Sequence, residues 1–524
     1  MKTKTFLKNN REKIFSKKTL KIIEYLIITL IIFLSVFPRA AEVLSGNYLF
    51  GFDQGRDYLA VKNIVVDKKL TLIGSEIGAG SAGFQGVFHG PLHYFFLATF
   101  FAVLNGNPYG GVLLTFLYGA ITIFLGYLLG KKLLGRWAGI VTSLLIAISP
   151  PLISYSRFVW NTHGSTIFIL LSFYFLLKSL EEKQIKLRNL FLTSFFAGFS
   201  YNFQLAVATP LSLTVILFYI FIIRKERIIK FITLFSGFIL AFAPMIFFEI
   251  RHGFTTINGI YTYIFIREKN IVTAKFIELN LKDHFGLFIY NFLDTFQRVF
   301  PVQNTFFLIL FFLVFIYFFL REPRGKLKNF LFFIILLPII SFFILSFIKG
   351  AIYVYYLTHL YFVYILFFVY ILYSSFKYKL KIVQLVGIVL TIVMVINASI
   401  KGSVTFFYDY KDYGGTAKIK GKIDALDFIY QDSKGKPFNL LVFSPPVYTY
   451  PYDYVIWWYG QRKYNYVPSK EKKDTFYLWI EVDSSKPWSY KGWMETVIKS
   501  GKIEWTQTLP SGFIIQKRIE DEKI

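Results

Sequence analysis

The feature that constrains this chain most is a succession of long apolar runs between Leu20 and Ile400. Most are about 17–22 residues long, the length an α-helix needs to cross a hydrocarbon core about 30 Å thick. The solvent for this part of the chain is therefore lipid. Composition agrees, because 55% of the 524 residues are hydrophobic and only 17% are charged, where a soluble domain carries about 25% charged residues. After Ile400 the runs stop. From Lys401 onward the chain becomes polar and tyrosine-rich with short alternating segments, which sets a domain boundary there.

A net charge of +27 would suggest nucleic acid as a partner of a soluble protein, but the placement of the cations excludes that reading. They gather in short loops between apolar runs: Lys131, Lys132 and Arg136; Lys183, Lys186 and Arg188; Arg224, Lys225, Arg227 and Lys230; Arg321, Arg324, Lys326 and Lys328; Lys377, Lys379 and Lys381. Loops nearly free of Lys and Arg alternate with these. Together with the basic N-terminal tail (1–19), they satisfy the positive-inside rule if all of them are cytoplasmic.

That assumption fixes a topology. The first span, about Leu20 to Phe37, runs outward and has no small-residue cleavage signature after it, so it reads as an anchor. A large external loop, 38–108, contains the apolar stretch Pro91 to Leu104. Counting that stretch as a span would invert every later basic loop, so it is expected to lie in the outer interface. The remaining spans are about 109–130, 137–153, 165–177, 189–203, 205–223, 228–248, 305–320, 330–347, 352–376 and 382–400. The fold class expected is thus an α-helical polytopic membrane protein of about eleven helices over 20–400. It is followed by a small extracytoplasmic α/β domain over 401–524.

With no cysteine, that domain has neither disulfides nor thiolate metal ligands. Its pattern predicts helices over 416–430, 452–459 and 492–500, strands over 439–443 and 476–481, and two last strands around Trp505 and 514–516. No Walker, GxGxxG, HExxH or GxSxG pattern occurs.

Polar residues next to lipid carry the functional reading. In Phe52-Asp53-Gln54-Gly55-Arg56-Asp57-Tyr58, two carboxylates four residues apart share one face if the segment is helical, with Arg56 beside them. A partly desolvated aspartate at a membrane edge can take a proton from a hydroxyl; a solvated cap or surface ion pair explains the spacing equally well. His89 and His93 flank a Gly-Pro helix start and can bind phosphate, a sugar or part of a metal site, or be satisfied interface histidines. In the loop Tyr155 to His163, Arg157, Asn161 and His163 are placed to hold a phosphate or sugar hydroxyl, among aromatics expected of any interfacial belt. Glu249 and Arg251 follow the seventh span, where they either end the helix as a pair or, through Arg251, neutralise a leaving phosphate.

These features resemble the GT-C glycosyltransferases, in particular the family-39-type members related to protein O-mannosyltransferases and aminoarabinose lipid A transferases. The likeness rests on the long first external loop with an early aspartate, the Gly-Pro before an apolar stretch, and the Ser-Arg loop after the third span. It covers roughly residues 20–254 with usable motifs and is architectural beyond them. It implies transfer of a sugar from a polyprenyl-phosphate donor to an acceptor hydroxyl on a protein, glycolipid or cell-wall glycan, outside the cytoplasmic membrane and with inversion. The family's base carries over to Asp53 first and Asp57 second. The implied donor-binding residues are Arg56, His89, His93, Arg157, Asn161, His163, Glu249 and Arg251. Where many relatives have a second acidic residue after the third span, this loop has none, so no cofactor is firmly implied and a divalent cation stays open. The partners implied are the lipid-linked sugar, its acceptor and membrane lipids, without nucleic acid.

The aromatics Tyr448, Tyr450, Tyr452, Tyr454, Trp457, Trp458 and Tyr459 can stack on sugar rings or pack the last domain against the membrane part. A transporter or flippase of lipid-linked intermediates would place ionisable residues at mid-membrane, and Asp and Glu are nearly absent from the spans. A non-enzymatic assembly protein would leave the Asp53 cluster without a role.

Overall fold

The computed structural model describes residues 17–80, 85–181, 185–223, 225–265, 281–300, 305–346, 348, 352–445 and 448–520. Most of the basic tail, Lys183 and Arg224 lie outside these. Each of the eleven expected spans is a helix: α1 (Lys17–Val36), α4 (Tyr109–Leu134), α5 (Arg136–Ile148), α6 (Ser165–Ser179), α7 (Leu187–Phe199), α8 (Leu205–Ile222), α9 (Arg227–Arg251), α12 (Thr305–Arg321), α13 (Lys326–Leu345), α14 (Thr358–Lys377) and α15 (Lys381–Lys411). Seven of them, α1, α4, α8, α9, α13, α14 and α15, are each long and apolar enough to cross a membrane. The loop 38–108 contributes α2 (Phe52–Val65) and α3 (Leu92–Val103), and α10 (Thr255–Phe265) and α11 (Leu281–Thr295) follow α9. The stretch expected in the interface is α3, too short at 12 residues to span.

The basic loops meet at one end of the bundle. Glu24 on α1, only 1% exposed, receives Lys131 at 2.9 Å and Arg136 at 2.8 Å. Glu181 bridges Lys132 and Lys326 at 2.6 and 2.8 Å, and Glu322 holds Lys377 at 3.1 Å while its carbonyl accepts from Lys328. At the other end of α4, the Gly111 N–H donates to Tyr58 of α2. The 26 residues of α4 at 1.5 Å each put about 39 Å between the two ends.

The chain beyond α15 folds as α16 (Ile419–Asp432), β1 (Asn439–Phe443), α17 (Tyr450–Tyr459), β2 (Thr475–Ile480), a short helical segment over 489–498, β3 (Lys502–Thr508) and β4 (Ile514–Ile519). The sheet order is β1-β2-β4-β3, with β1 and β2 parallel and the other pairs antiparallel. The boundary expected at Lys401 falls inside α15, which runs unbroken to Lys411.

This sheet domain and the loop 38–108 share one core. Phe50, Tyr58, Phe101, Tyr454 and Trp479 belong to a single buried cluster, and Leu49 forms a β-bridge with Lys418. The closest approach is at Gly55, where a Cβ would stand 2.2 Å from the Pro451 backbone nitrogen. Helices α2 and α17 therefore touch backbone to backbone, and Tyr454 reaches past α2 to donate to the Gly106 carbonyl at 2.5 Å.

Gly55→Ala is expected to separate these helices, costing roughly 1–3 kcal/mol as overpacking. The unfolding temperature should fall and the α15–α16 connection should become protease-sensitive. Gly286→Ala, where nothing lies within 4 Å of the new carbon, should change neither.

Candidate active site

The site forms where α2 starts. Gly51 precedes the helix, and its N–H is taken by the Gln54 side chain at 2.9 Å, while the Gln54 amide donates to the Val159 carbonyl at 2.6 Å. The first turn of α2 is thereby fixed to the loop after α5. Asp53 in that turn also meets the positive end of the helix dipole.

Arg56 stands between the two aspartates, as the spacing predicts. Its Nη1 lies 2.9 Å from Asp53 and its Nη2 2.8 Å from Asp57, and its Nε donates to Asp57 at 2.9 Å. The carboxylates are not equivalent. Asp57 is 1% exposed, with His93 Nε2 3.4 Å from its second oxygen, whereas the Asp53 side chain is 38% exposed. Burial alone would raise the Asp57 carboxyl, but Arg56 and His93 outweigh it and hold it below the ordinary range. Burial raises the Asp53 carboxyl; Arg56 offsets this only in part, and the charge on Asp57 adds to the rise.

His89 and His93 both sit behind this pair. His93 is 2% exposed and lies in the first turn of α3, two residues after Pro91. His89 is 6% exposed, and burial, reinforced by Arg56, pushes its imidazole down to about 4. Among the described residues no three His, Cys, Asp or Glu side chains converge in a metal-holding group. An aromatic cluster forms nearby: Trp160 packs edge-on against Tyr355 at 4.6 Å and Tyr355 stacks on Tyr353. Of the seven aromatics of the last domain, Tyr452 and Tyr454 are fully buried. Tyr448 and Tyr450, stacked at 5.3 Å, lie against Phe52 beside Asp53.

The other expected residues are engaged elsewhere. Arg157, expected to face a phosphate, is 11% exposed and gives Nε and Nη2 to both oxygens of Glu42 at 3.0 and 2.5 Å, with Nη2 also 2.5 Å from Asp409. Asn161 donates to the Phe203 carbonyl at 2.9 Å. His163 lies under Trp160, stacked on Tyr155 at 4.5 Å. Glu249 does not pair with Arg251; its carboxylate caps α10 by accepting from the Thr256 and Ile257 N–H groups. Arg251 is exposed at the end of α9.

Sequence reasoning missed Tyr355, Glu42 and Asp409. Tyr355 sits in a stretch whose hydropathy reads as the start of a span, and Glu42 and Asp409 carry no local signal, being 115 and 252 residues from the arginine they hold.

Comparison with known proteins adds to this geometry. Residues 88–250 match the family model described as dolichyl-phosphate-mannose-protein mannosyltransferase. The match covers less than a third of the chain and includes His89, His93 and Arg157 but not Asp53. None of the curated proteins matches. The crystal structure of ArnT from Cupriavidus metallidurans bound to undecaprenyl phosphate is similar with a TM-score of 0.55 at 10% identity, over 96% of this chain and 98% of that one. Its apo form gives 0.55 at 8% identity, over 95% and 97%. The Archaeoglobus fulgidus oligosaccharyltransferase in complex with Zn and sulfate gives 0.50 at 13% identity, over 93% of this chain and 72% of that chain. At such identities the structural likeness is one of fold. Family match and fold together support the expected resemblance to the glycosyltransferases of the GT-C superfamily.

Proposed function

We propose that the protein moves a sugar from a polyprenyl-phosphate donor to an acceptor hydroxyl on the non-cytoplasmic face of the membrane, with Asp53 as the base. The observation that carries this reading is the inequality of the two aspartates around Arg56. Asp57 is buried and kept charged, so it fixes the guanidinium; Asp53 is reachable and more basic than an ordinary carboxylate. A general base needs both access and raised basicity.

In the step proposed, Asp53 takes the proton of the acceptor hydroxyl while its oxygen attacks the anomeric carbon from the face opposite the phosphate. The bond from that carbon to the phosphate oxygen breaks, and its electron pair leaves with the phosphate. Arg56, oriented by Asp57 and in contact with Asp53, is the cation this reading assigns to answer that charge. Undecaprenyl phosphate in the ArnT structure supports a lipid-linked donor by likeness of fold. Orientation follows from charge: the loops joined by Glu24, Glu181 and Glu322 carry the Lys and Arg excess, and Asp53 lies at the far end of α4 from Glu24. Arg157 then serves as a clamp, tying the loop before α6 to α15 and to the segment Ala41–Ser45.

Asp53→Asn is expected to lower transfer by about 10²–10⁴-fold, measured with purified protein and a polyprenyl-phosphate sugar. In the wild type, kcat/KM should fall as pH drops through the raised Asp53 value, at a higher pH than an ordinary carboxylate of about 3.9 would give; the residual activity of the variant should lack that limb. Survival of full activity in Asp53→Asn removes the base assignment. Arg157→Gln should destabilise by roughly 1–3 kcal/mol, less than a fully buried pair because Asp409 keeps 23% exposure. Adding Glu42→Gln and Asp409→Asn should restore both the unfolding temperature and transfer; restored stability without transfer would make Arg157 a ligand of the substrate.

A further inference from the structure

Below the loop that carries Trp160 lies a buried charge with no carboxylate against it. Arg39, 2% exposed, gives Nη1 to the Ser35 carbonyl at 2.9 Å and the Ala147 carbonyl at 2.8 Å, and Nε to the Ser156 hydroxyl at 3.2 Å. Ser35 and Ala147 belong to the last turns of α1 and α5. Arg39 thus plugs two helix C-termini, whose carbonyl dipoles answer its charge. Its Nη2 has only the Ile146 carbonyl at 3.5 Å, too long to saturate its two N–H groups.

That nitrogen belongs to a residue lining a small pocket shared with Tyr118, Thr122, Ser156, His163 and Thr166. The walls are fixed. A Cβ on Gly119 would stand 2.2 Å from the Ser156 hydroxyl, and Thr122 and Thr166 bond each other at 2.8 Å. Two further polar atoms here have no protein partner, the Tyr118 hydroxyl and His163 Nε2, on side chains 4% and 1% exposed. Leaving such groups unpaired costs about 1–3 kcal/mol each.

The hydrogen-bond valence of these atoms specifies what fits. His163 Nδ1 is 2.9 Å from the Phe158 carbonyl. A carbonyl only accepts, so Nδ1 carries the hydrogen and Nε2 offers a lone pair; burial keeps the ring neutral, pushing its pKa down to about 3. Arg39 and Tyr118 can donate. The occupant must therefore accept twice and donate once, with space for one water-sized molecule. A halide could accept from Arg39 and Tyr118 but would face the lone pair of His163, and the charge of Arg39 is already met by carbonyls.

We propose that this pocket is a binding site for a single water molecule, bridging Arg39 Nη2, the Tyr118 hydroxyl and His163 Nε2. The bridge joins α1, α4 and α5 to the ring on which Trp160 rests edge-on at 5.8 Å, and so sets the height of the aromatic cluster of Trp160, Tyr355 and Tyr353. His163 is then a positioning residue and not a sugar ligand.

The test uses full-length protein in nanodiscs. If the Tyr118 hydroxyl is bonded, Tyr118→Phe lowers the unfolding temperature by about 1–3 °C. His163→Phe, which keeps the stacking, should cost less in the Tyr118→Phe background than in the wild type, because both act through one bridge. Exchanging chloride for gluconate should leave the unfolding temperature unchanged. A stability equal to or above wild type in Tyr118→Phe, strict additivity of the two substitutions, or a chloride-dependent unfolding temperature would each overturn the proposal. None of these readouts involves sugar transfer, so they stand apart from the fate of the proposed reaction.

Discussion

A charge taken out of water must be met by another charge or by aligned dipoles, and this requirement organises the molecule from one end to the other. At the basic end, Glu24 and Glu181 each receive two cations and Glu322 holds Lys377 through its carboxylate and Lys328 through its main-chain carbonyl, so that three acidic residues tie together loops far apart in sequence. At the opposite end the signs reverse. Arg56 is met by two aspartates, Arg157 by Glu42 and Asp409, and Arg39 by carbonyls at the ends of two helices. Apolar packing fills the space between, but it is indifferent to register; the charges choose which loop sits beside which.

This division explains what could be read from the sequence. Helices are legible because lipid demands a continuous apolar length, and each expected span appears as a helix, the last of them running eleven residues beyond its expected end to Lys411. Strand β1 occupies the expected residues, Asn439–Phe443, since a short apolar run between turn residues has few alternatives. The Asp53, Arg56 and Asp57 arrangement was legible because all three lie within two turns of one helix, where spacing fixes geometry. Arg157, Glu249 and Asn161 are expected near a ligand from their residue type and their place at the membrane edge. Their partners come from across the fold or from a neighbouring helix terminus, and no local pattern announces a side chain 252 residues away. The aromatics of 448–459 make the same point: Tyr452 is core against Trp479 and Phe513, Tyr454 is core against Tyr58 of α2, and Tyr448, ahead of α17, is 51% exposed.

The sheet domain also takes on a more definite role than its position after the last span suggests. Gly55 lies between the two aspartates in sequence and on the face of α2 that meets Pro451. No side chain separates the backbones, so α17 sets the position of α2 directly, and Tyr454 anchors the same contact to Gly106. The membrane bundle by itself fixes α2 at Tyr58 and Gln54. The sheet domain supplies the third side, and a helix held on three sides has little freedom to tilt its first turn.

That rigidity bears on how two carboxylates four residues apart come to differ. Both touch one guanidinium, so Arg56 cannot distinguish them by charge alone. The distinction comes from the partners that each depth provides: Asp57, one turn further in at 1% exposure, takes two contacts from Arg56 and has His93 beside it, while Asp53 at the rim takes one. A tilt of α2 that brought Asp57 to the rim would give it solvent and weaken its hold on Arg56, and Asp53 would lose the desolvation that raises its basicity. The difference on which the proposed chemistry rests is therefore a property of the helix's placement, and that placement is secured by a glycine with no side chain and a domain outside the bundle.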